Sequence, residues 1–380
     1  MLRIAIIGGY GVFGGRLARV LSRMPEIELV IAGRRCEEAE AFAKTLMGPA
    51  KVEAAAVDID LTLQDTLAAL QPDLVVHCAG PFQKQDYRVA RAAISVGAHY
   101  ADLADGRTFV AGFNALDAQA RAAGKAAFAG LSTTPALSTT AALSLAEKFA
   151  SVRSVSVGVT PGNRAPRGQA VTEAILSYVG EKIPTRRNGR RVHVTAWGDL
   201  RRVHIEGLGA RWLSTCDTPD LDAMAAHFPS APDISFRAGL ELSALHVPLW
   251  VLAQVRRARL LPNLAGAAPF LVGAAQLLEW AGTDRGGMYV ELVGLGADGE
   301  ALRACWTLVA EAGDGPFIPV LGVAALVKRL ARGVIPESGA RSAAGLIALD
   351  EYEAEFSAFA IKTNTEFEHG KNALQARSGR

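Results

Sequence analysis

Residues 2–15 read LRIAIIGGYGVFGG, and this stretch decides the fold. Residues 3–7 are a short Ile-rich apolar run. Glycines follow, and then Leu17, Val20, Leu21 and Met24 recur at helical spacing. The reading is strand, glycine turn, helix. Gly9, Gly11 and Gly14 form G-x-G-x-x-G at the junction, with Tyr10, Val12 and Phe13 in the same loop. Gly9 lets the chain turn sharply, Gly11 lets backbone approach a pyrophosphate, and Gly14 lets the helix sit close to the sheet. N–H groups at the helix start then hold the anion.

Working outward, apolar runs at 28–32, 52–58, 74–78, 99–103 and 126–129 alternate with helical patterns at 37–46, 63–70, 87–96 and 109–123. Such alternation predicts an α/β domain with a parallel sheet covered on both faces. Right-handed crossovers make the doubly wound, Rossmann-type order the expected one.

Ligands of that fold lie at the carboxyl ends of the strands. About twenty residues past the glycine turn, an acidic side chain would bond the 2′-hydroxyl of NAD. Gly33, Arg34 and Arg35 stand there instead. Guanidinium groups pair with a phosphate dianion, so NADP is expected over NAD. Arg34 is the stronger candidate, and Arg35 is open to being a solvated charge. Asp58 is open between an adenine contact and a loop or cap role. After the fourth strand, Cys78, Ala79, Gly80, Pro81 and Phe82 would set backbone against ribose or nicotinamide. His77 reads more readily as a hydrogen-bonded structural histidine than as a catalytic acid.

With 380 residues, two domains are the first expectation. A net charge of +2 gives no basic footprint for a nucleic-acid partner. Hydrophobic residues at 50% and charged residues at 21% exclude wholesale disorder. Cys36, Cys78, Cys216 and Cys305 lack metal-ligand spacing, so no metal is expected and a reducing, cytoplasmic setting fits. The apolar run at 4–7 is too short for a secretion signal. The stretch 260–282 is the most apolar, but it carries Pro262, Asn263, Pro269, Gln276 and Glu279. It reads as a buried or surface-docked helix rather than a membrane span. Peripheral membrane contact and a homodimer are left open.

From residue 152 the pattern changes. Alternating runs at 152–160, 191–197, 203–205, 288–295 and 302–311, with Asn188-Gly189 as a hairpin turn, predict antiparallel neighbours. Helical patterns lie at 171–179, 221–227, 249–255, 270–280 and 319–331. The expected division is a nucleotide-binding domain 1–131, then an α+β substrate or dimerisation domain on a largely antiparallel sheet at 132–318. A helical segment at 319–367 would fold back on the first domain, and a flexible polar tail would occupy 368–380. RRNGRR at 186–191 is the densest basic run, read as a solvated hairpin tip ahead of a phosphate or membrane contact.

Several segments together carry a resemblance: IAIIGGYGVFGGRLA (4–18), AGR (32–34), VVHCAGPFQ (75–83), GAHYADLAD (97–105), GLSTTPALS (130–138) and the run 315–340. By these the chain resembles the saccharopine-dehydrogenase-like oxidoreductases. The resemblance implies an NADP(H)-dependent two-domain oxidoreductase. It does not imply saccharopine as substrate, because the family spans amino-acid, polyamine and lipid chemistry. The chain departs from its relatives at Asp105-Gly106, where a Gly-Glu pair is usual, and no arginine and lysine set for gripping a dicarboxylate amino acid is recognisable.

In hydride transfer the cofactor does the chemistry, and the protein supplies position and a proton. Tyr100, Asp102 and Asp105 on the fifth strand and its loop, and Lys84 after AGPF, are the expected proton donors or orienters. A rival reading uses Tyr178 and Lys182, a Y-x-x-x-K pair that a helix would place on one face, as in short-chain dehydrogenases. A non-catalytic NADP-binding sensor or membrane-associated protein would keep the glycine loop and lose the proton donor. The small-molecule substrate is open among compounds with a C=N, C=O or C=C group, lipid-like ones included.

Overall fold

The computed structural model describes residues 1–83, 85–166, 169–261, 264–370 and 373. The chain forms two compact units. The first is Met1–Leu137 with Pro316–Glu355, and the second is Ser138–Gly315 with Phe356–Arg380.

Strands and helices alternate through the first stretch: β1 (Leu2–Ile7), α1 (Gly14–Leu21), β2 (Ile27–Gly33), α2 (Cys36–Ala43), β3 (Lys51–Ala56), α3 (Leu63–Leu70), β4 (Leu74–His77), α4 (Arg88–Ser95), β5 (His99–Asp102), α5 (Arg107–Gly112), α6 (Asp117–Ala122) and β6 (Ala126–Ala129). The second unit follows with α7 (Ser138–Ala146), β7 (Phe149–Thr160), α8 (Gln169–Tyr178), β8 (Lys182–Arg187), β9 (Arg190–Thr195), β10 (Arg201–Ile205), β11 (Gly209–Thr215), α9 (Asp220–His227), β12 (Asp233–Ala238), α10 (Ser243–Arg257), α11 (Ala268–Leu277), β13 (Gly286–Gly296) and β14 (Ala301–Ala310). The chain then adds α12 (Ile318–Ala331), β15 (Gly339–Ser342), α13 (Leu349–Phe356) and β16 (Ile361–His369).

The first unit's sheet has the order β15-β6-β5-β4-β1-β2-β3, with all pairings parallel. This is the doubly wound order with a seventh strand added beside β6. Ile4, Ala5, Ile6 and Ile7 are all buried, as a central parallel strand covered on both faces requires. α1 buries Leu17 and Leu21 at an i, i+4 spacing, each worth about 1.5–3 kcal/mol of apolar burial. α12 is apolar nearly all round, and Val320, Leu321, Val323, Ala324, Leu326 and Val327 are buried. It packs against α1, and the Arg16 guanidinium lies 5.6 Å from the Phe317 ring centroid.

The second unit's sheet runs β10-β11-β12-β7-β13-β14-β16, with β8 pairing both β12 and β9. β12 and β7 are parallel, and the other pairings are antiparallel.

The expected divisions at 131, 318 and 367 differ from these units. The chain leaves the first unit after Leu137, returns at Pro316 and leaves again after Glu355. The first crossing, at Leu137/Ser138, lies in the Ser/Thr/Pro stretch 132–140, which runs into α7 with Ser138, Thr139 and Thr140 buried. Residues 361–367 are not helical; they belong to β16, which pairs with β14 from Leu302 to Ala310. Of the expected tail, Glu368 and His369 complete β16, and 371, 372 and 374–380 lie outside the described residues. The expected helix 109–123 is broken by a tighter turn at Phe113–Leu116.

Of the two readings for the stretch 260–282, buried or surface-docked, the structure has the surface-docked one, with Leu264 and Leu271 packed on the core of the second unit. Pro262 and Asn263 lie outside the described residues, and α11 buries only the small Ala268 and Ala275. Leu260, Phe270, Leu277 and Trp280 are 74–79% exposed, so the helix is not sunk into its own unit. Among the described residues, no helix is long and apolar enough to cross a membrane.

Candidate functional site

The loops at the carboxyl ends of β1, β2, β4 and β5 converge in the first unit. The glycine turn is fixed from below: the N–H groups of Gly8 and Gly9 donate to the Ala32 carbonyl at 2.8 and 3.1 Å, and Gly11 N–H to the Gly8 carbonyl at 2.9 Å. A Cβ on Gly14 would lie 2.2 Å from the Gly8 oxygen, so only glycine lets α1 start this close to the strand end. The N–H groups of Val12, Phe13 and Gly14 have no hydrogen-bond partner among the described residues. They are the unpaired donors of a helix start, which suit an anion. Arg16 Nη1 donates to the Val12 carbonyl at 2.5 Å and braces the loop.

Beside this turn, the Tyr10 hydroxyl accepts the Arg35 N–H at 3.2 Å, and its ring lies over Gly33. Arg34 is exposed and has no carboxylate partner among the described residues. Arg35 is exposed and pairs with Glu38 at 2.6 Å, the solvated alternative weighed for it. Asp58 serves the chain itself: its Oδ1 accepts the Asp60 N–H at 2.8 Å in the turn before α3. The loop and cap reading is the one its contacts favour.

At the end of β4, Cys78 N–H donates to the Ile7 carbonyl at 2.8 Å, which ties the two strand ends together. Ala79, Gly80 and Pro81 lead out toward solvent, and Phe82 turns back and is buried. Gln85 Nε2 donates to the carbonyls of Ala79 and Pro81 at 2.7 and 3.0 Å and fixes this loop. The sequence reading passed over Gln85 and Arg16, because a lone loop glutamine or helical arginine carries no motif.

The β5 residues behave differently from expectation. Tyr100 is fully buried, and its hydroxyl donates to Asp102 Oδ2 at 3.0 Å, with His77 Nδ1 at 3.4 Å. Burial, then the neighbouring Asp102, pushes its pKa well up. Asp102 is also fully buried, and its Oδ1 accepts the N–H groups of Ala104 and Gly130 at 3.0 and 2.7 Å. Burial raises its carboxyl to about 7 against these donors. Both side chains are fully buried and spend their polar atoms on each other and on backbone, so against the expected proton-donor role their contacts are those of a brace at the ends of β5 and β6. His77 is buried and held neutral by desolvation, which lowers it to about 4, in line with its structural reading. Asp105 keeps partial solvent access, accepts Gln83 Nε2 at 3.2 Å, and has a carboxyl raised by burial. Lys84 lies outside the described residues. No metal-holding cluster occurs among the described residues.

The rival pair does not share a helix face. α8 ends at Tyr178, and Lys182 opens β8. Tyr178 Oη lies 2.9 Å from Cys216 Sγ, and Lys182 is exposed. Neither belongs to the unit that carries the glycine turn. Tyr178→Phe and Lys182→Ala are each expected to change NADPH turnover less than about twofold, since losing a general acid costs roughly 10²–10⁴ and these groups are not placed as one. Steady-state kinetics on the two variants checks this, and a hundredfold loss in either would restore the pair.

With this geometry in place, the comparisons are informative. The sequence model described as "Saccharopine dehydrogenase NADP binding domain" matches residues 4–129. No curated protein matches the chain. Among solved structures, the apo saccharopine dehydrogenase (L-Glu forming) of Saccharomyces cerevisiae superposes with a TM-score of 0.66 at 14% identity, over 96% of this chain and 100% of that one. That is a likeness of fold. A probable dehydrogenase of Thermotoga maritima gives a TM-score of 0.46 at 10% identity, covering 96% of this chain and 98% of its own. Synechocystis biliverdin reductase, in complex with biliverdin and NADP+, gives 0.43 at 14% identity, with 94% and 96% covered.

Proposed function

We propose, from the match of residues 4–129 to the model described as a saccharopine dehydrogenase NADP binding domain, that the chain is an NADP(H)-dependent oxidoreductase. It moves hydride to or from a C=N, C=O or C=C group of a small or lipid-like substrate. The observation that carries the reading is the anion cradle: the unpaired N–H groups of Val12, Phe13 and Gly14 beside an exposed Arg34 with no carboxylate partner among the described residues. The residues fit the cofactor. The turn would hold the diphosphate, Arg34 the 2′-phosphate, and the backbone of Ala79, Gly80 and Pro81 would flank the ribose and nicotinamide. Bound NADP(H) supplies the hydride.

The chain's own side chains orient and protonate. Gln85 holds the β4 loop in place, and Tyr100 with Asp102 holds the β5 end beneath it. Of the described candidates, Asp105 is the one with both solvent access and a carboxyl raised by burial, so it is the one placed to exchange a proton with a substrate. Progress curves of NADPH absorbance with imines, ketones and enoyl thioesters test the activity. Binding without turnover on all three classes would favour the sensor reading.

Cofactor choice has its own test. A charge-assisted hydrogen bond is worth about 1.5–3 kcal/mol, so Arg34→Ala is expected to weaken NADPH binding about 10- to 150-fold and leave NADH unchanged. Fluorescence titration reads both. Equal affinity of the parent protein for NADPH and NADH would refute the assignment.

A further inference from the structure

The β8–β9 hairpin of the second unit carries charges that the proposed reaction does not use. Its register sets Arg187 directly opposite Arg190, and Arg186 opposite Arg191. Like charges facing each other across a ladder are destabilising. Asp199 is the carboxylate that answers them, and three guanidinium groups share it: Arg187 at 2.7 Å, Arg237 at 2.9 Å and Arg201 at 3.4 Å. Three positive charges against one negative leave the cluster underneutralised. Arg237 is 5% exposed and its Nε is buried without a partner, so part of that excess is out of water. Desolvated charge without full pairing is costly. Asp233 is also near, but it accepts the Asn188 N–H at 2.9 Å. Arg190 is exposed and makes no ion pair among the described residues.

Of these groups, Arg187, Asn188 and Arg190 line a cavity of about 550 Å³, together with Val192, His193 and Val194. Small-ligand sites span roughly 300–1,000 Å³. We infer that this pocket binds a small free polyanion, a phosphorylated or pyrophosphorylated metabolite, with Arg187 and Arg190 as its guanidinium clamps. Two planar guanidinium groups match phosphate oxygens, and Val192 and Val194 offer a short apolar wall to the rest of the molecule. The near-neutral chain as a whole argues for a compact anion over a nucleic-acid strand.

The test is isothermal titration of the full chain with inorganic pyrophosphate at constant ionic strength, with NADP saturating so that the glycine turn does not compete. Saturable one-to-one binding is expected, weakened at least tenfold by Arg187→Gln or Arg190→Gln and unchanged by Arg34→Ala. A thermal scan adds an independent arm. Without pyrophosphate, Arg190→Gln is expected to raise the melting temperature by relieving the facing charges, and to abolish the further rise that pyrophosphate gives the parent. Absent saturation, equal effects of chloride, binding retained in both arginine variants, or attachment to phosphatidylglycerol vesicles that pyrophosphate does not displace would each overturn the proposal.

Discussion

Gly14→Ala is expected to weaken NADPH binding at least about 100-fold. The added Cβ would fall 2.2 Å from the Gly8 carbonyl oxygen, 2.8 Å from its carbon and 2.9 Å from Gly9 Cα. All three are backbone atoms of the turn that would receive the diphosphate, so no rotamer relieves the overlap. The start of α1 must move off the strand end, and the N–H groups of Val12, Phe13 and Gly14 move with it. At about 1.4 kcal/mol per tenfold, the expected loss is roughly 3 kcal/mol. Gly11→Ala tests the other role of the turn, close approach of backbone to the diphosphate, with α1 left in place. Its Cβ meets a single atom, the Gly8 oxygen at 3.1 Å, so the helix start should stay in place. Fluorescence titration with far-UV circular dichroism separates lost affinity from lost fold. A Gly14→Ala variant that binds NADPH within threefold of the parent would mean that the glycine turn does not hold the cofactor.

The first unit was largely readable from the chain because its physics is local. A parallel strand covered on both faces must be a continuous apolar run, and residues 4–7, 29–32 and 74–76 are such runs. β15 was missed because Gly339–Ser342 has almost no apolar character; it joins the sheet by edge pairing with β6, and α12 brings it there. β16 was missed for a related reason. As an edge strand it is Lys-, Thr- and Glu-rich, the composition that keeps an open edge from pairing with another chain. Which sheet a late segment joins depends on pairings far away in sequence, and no local pattern states them.

The glycine turn was legible for the same local reason: its geometry is backbone, and glycine spacing reports backbone. Side-chain roles were not. Tyr100 and Asp102 sit two apart on a strand, so they share one face, but tertiary packing buries β5 on both faces, Ala101 included. The spacing of Tyr178 and Lys182 fits a helix, but Gly180 at φ +81° turns the chain out of α8 and into β8 between them. Pattern alone could not place that stop.

Asp102→Ala is expected to destabilise the first unit by about 3–5 kcal/mol, since it leaves the N–H groups of Ala104 and Gly130 unpartnered in the core, at about 1–3 kcal/mol each, and takes from the Tyr100 hydroxyl its shorter partner. Asp102→Asn should be mild, because it keeps an oxygen for both N–H groups and offers an N–H to the Tyr100 oxygen. The two variants therefore separate the role of shape from that of charge. Charge shows in the pH dependence. Burial raises the Asp102 carboxyl from 3.8 to about 7, so the folded state binds the extra proton between those values. The stability this group contributes is fully present below about pH 4 and is lost as pH rises toward 7. Asp220 does the same in the second unit between its ordinary 3.8 and about 6, while Glu28 and Glu53, lowered foremost by Lys51, act in the opposite sense in acid. The difference between parent and Asp102→Asn isolates one group from the rest. By urea unfolding, the asparagine variant should gain on the parent steadily from pH 4 to pH 7, by a span on the order of 4 kcal/mol, and then run parallel to it. Parallel curves across the whole range would show that Asp102 holds no proton in the folded chain, and that its carboxylate is buried as an anion on the N–H groups of Ala104 and Gly130.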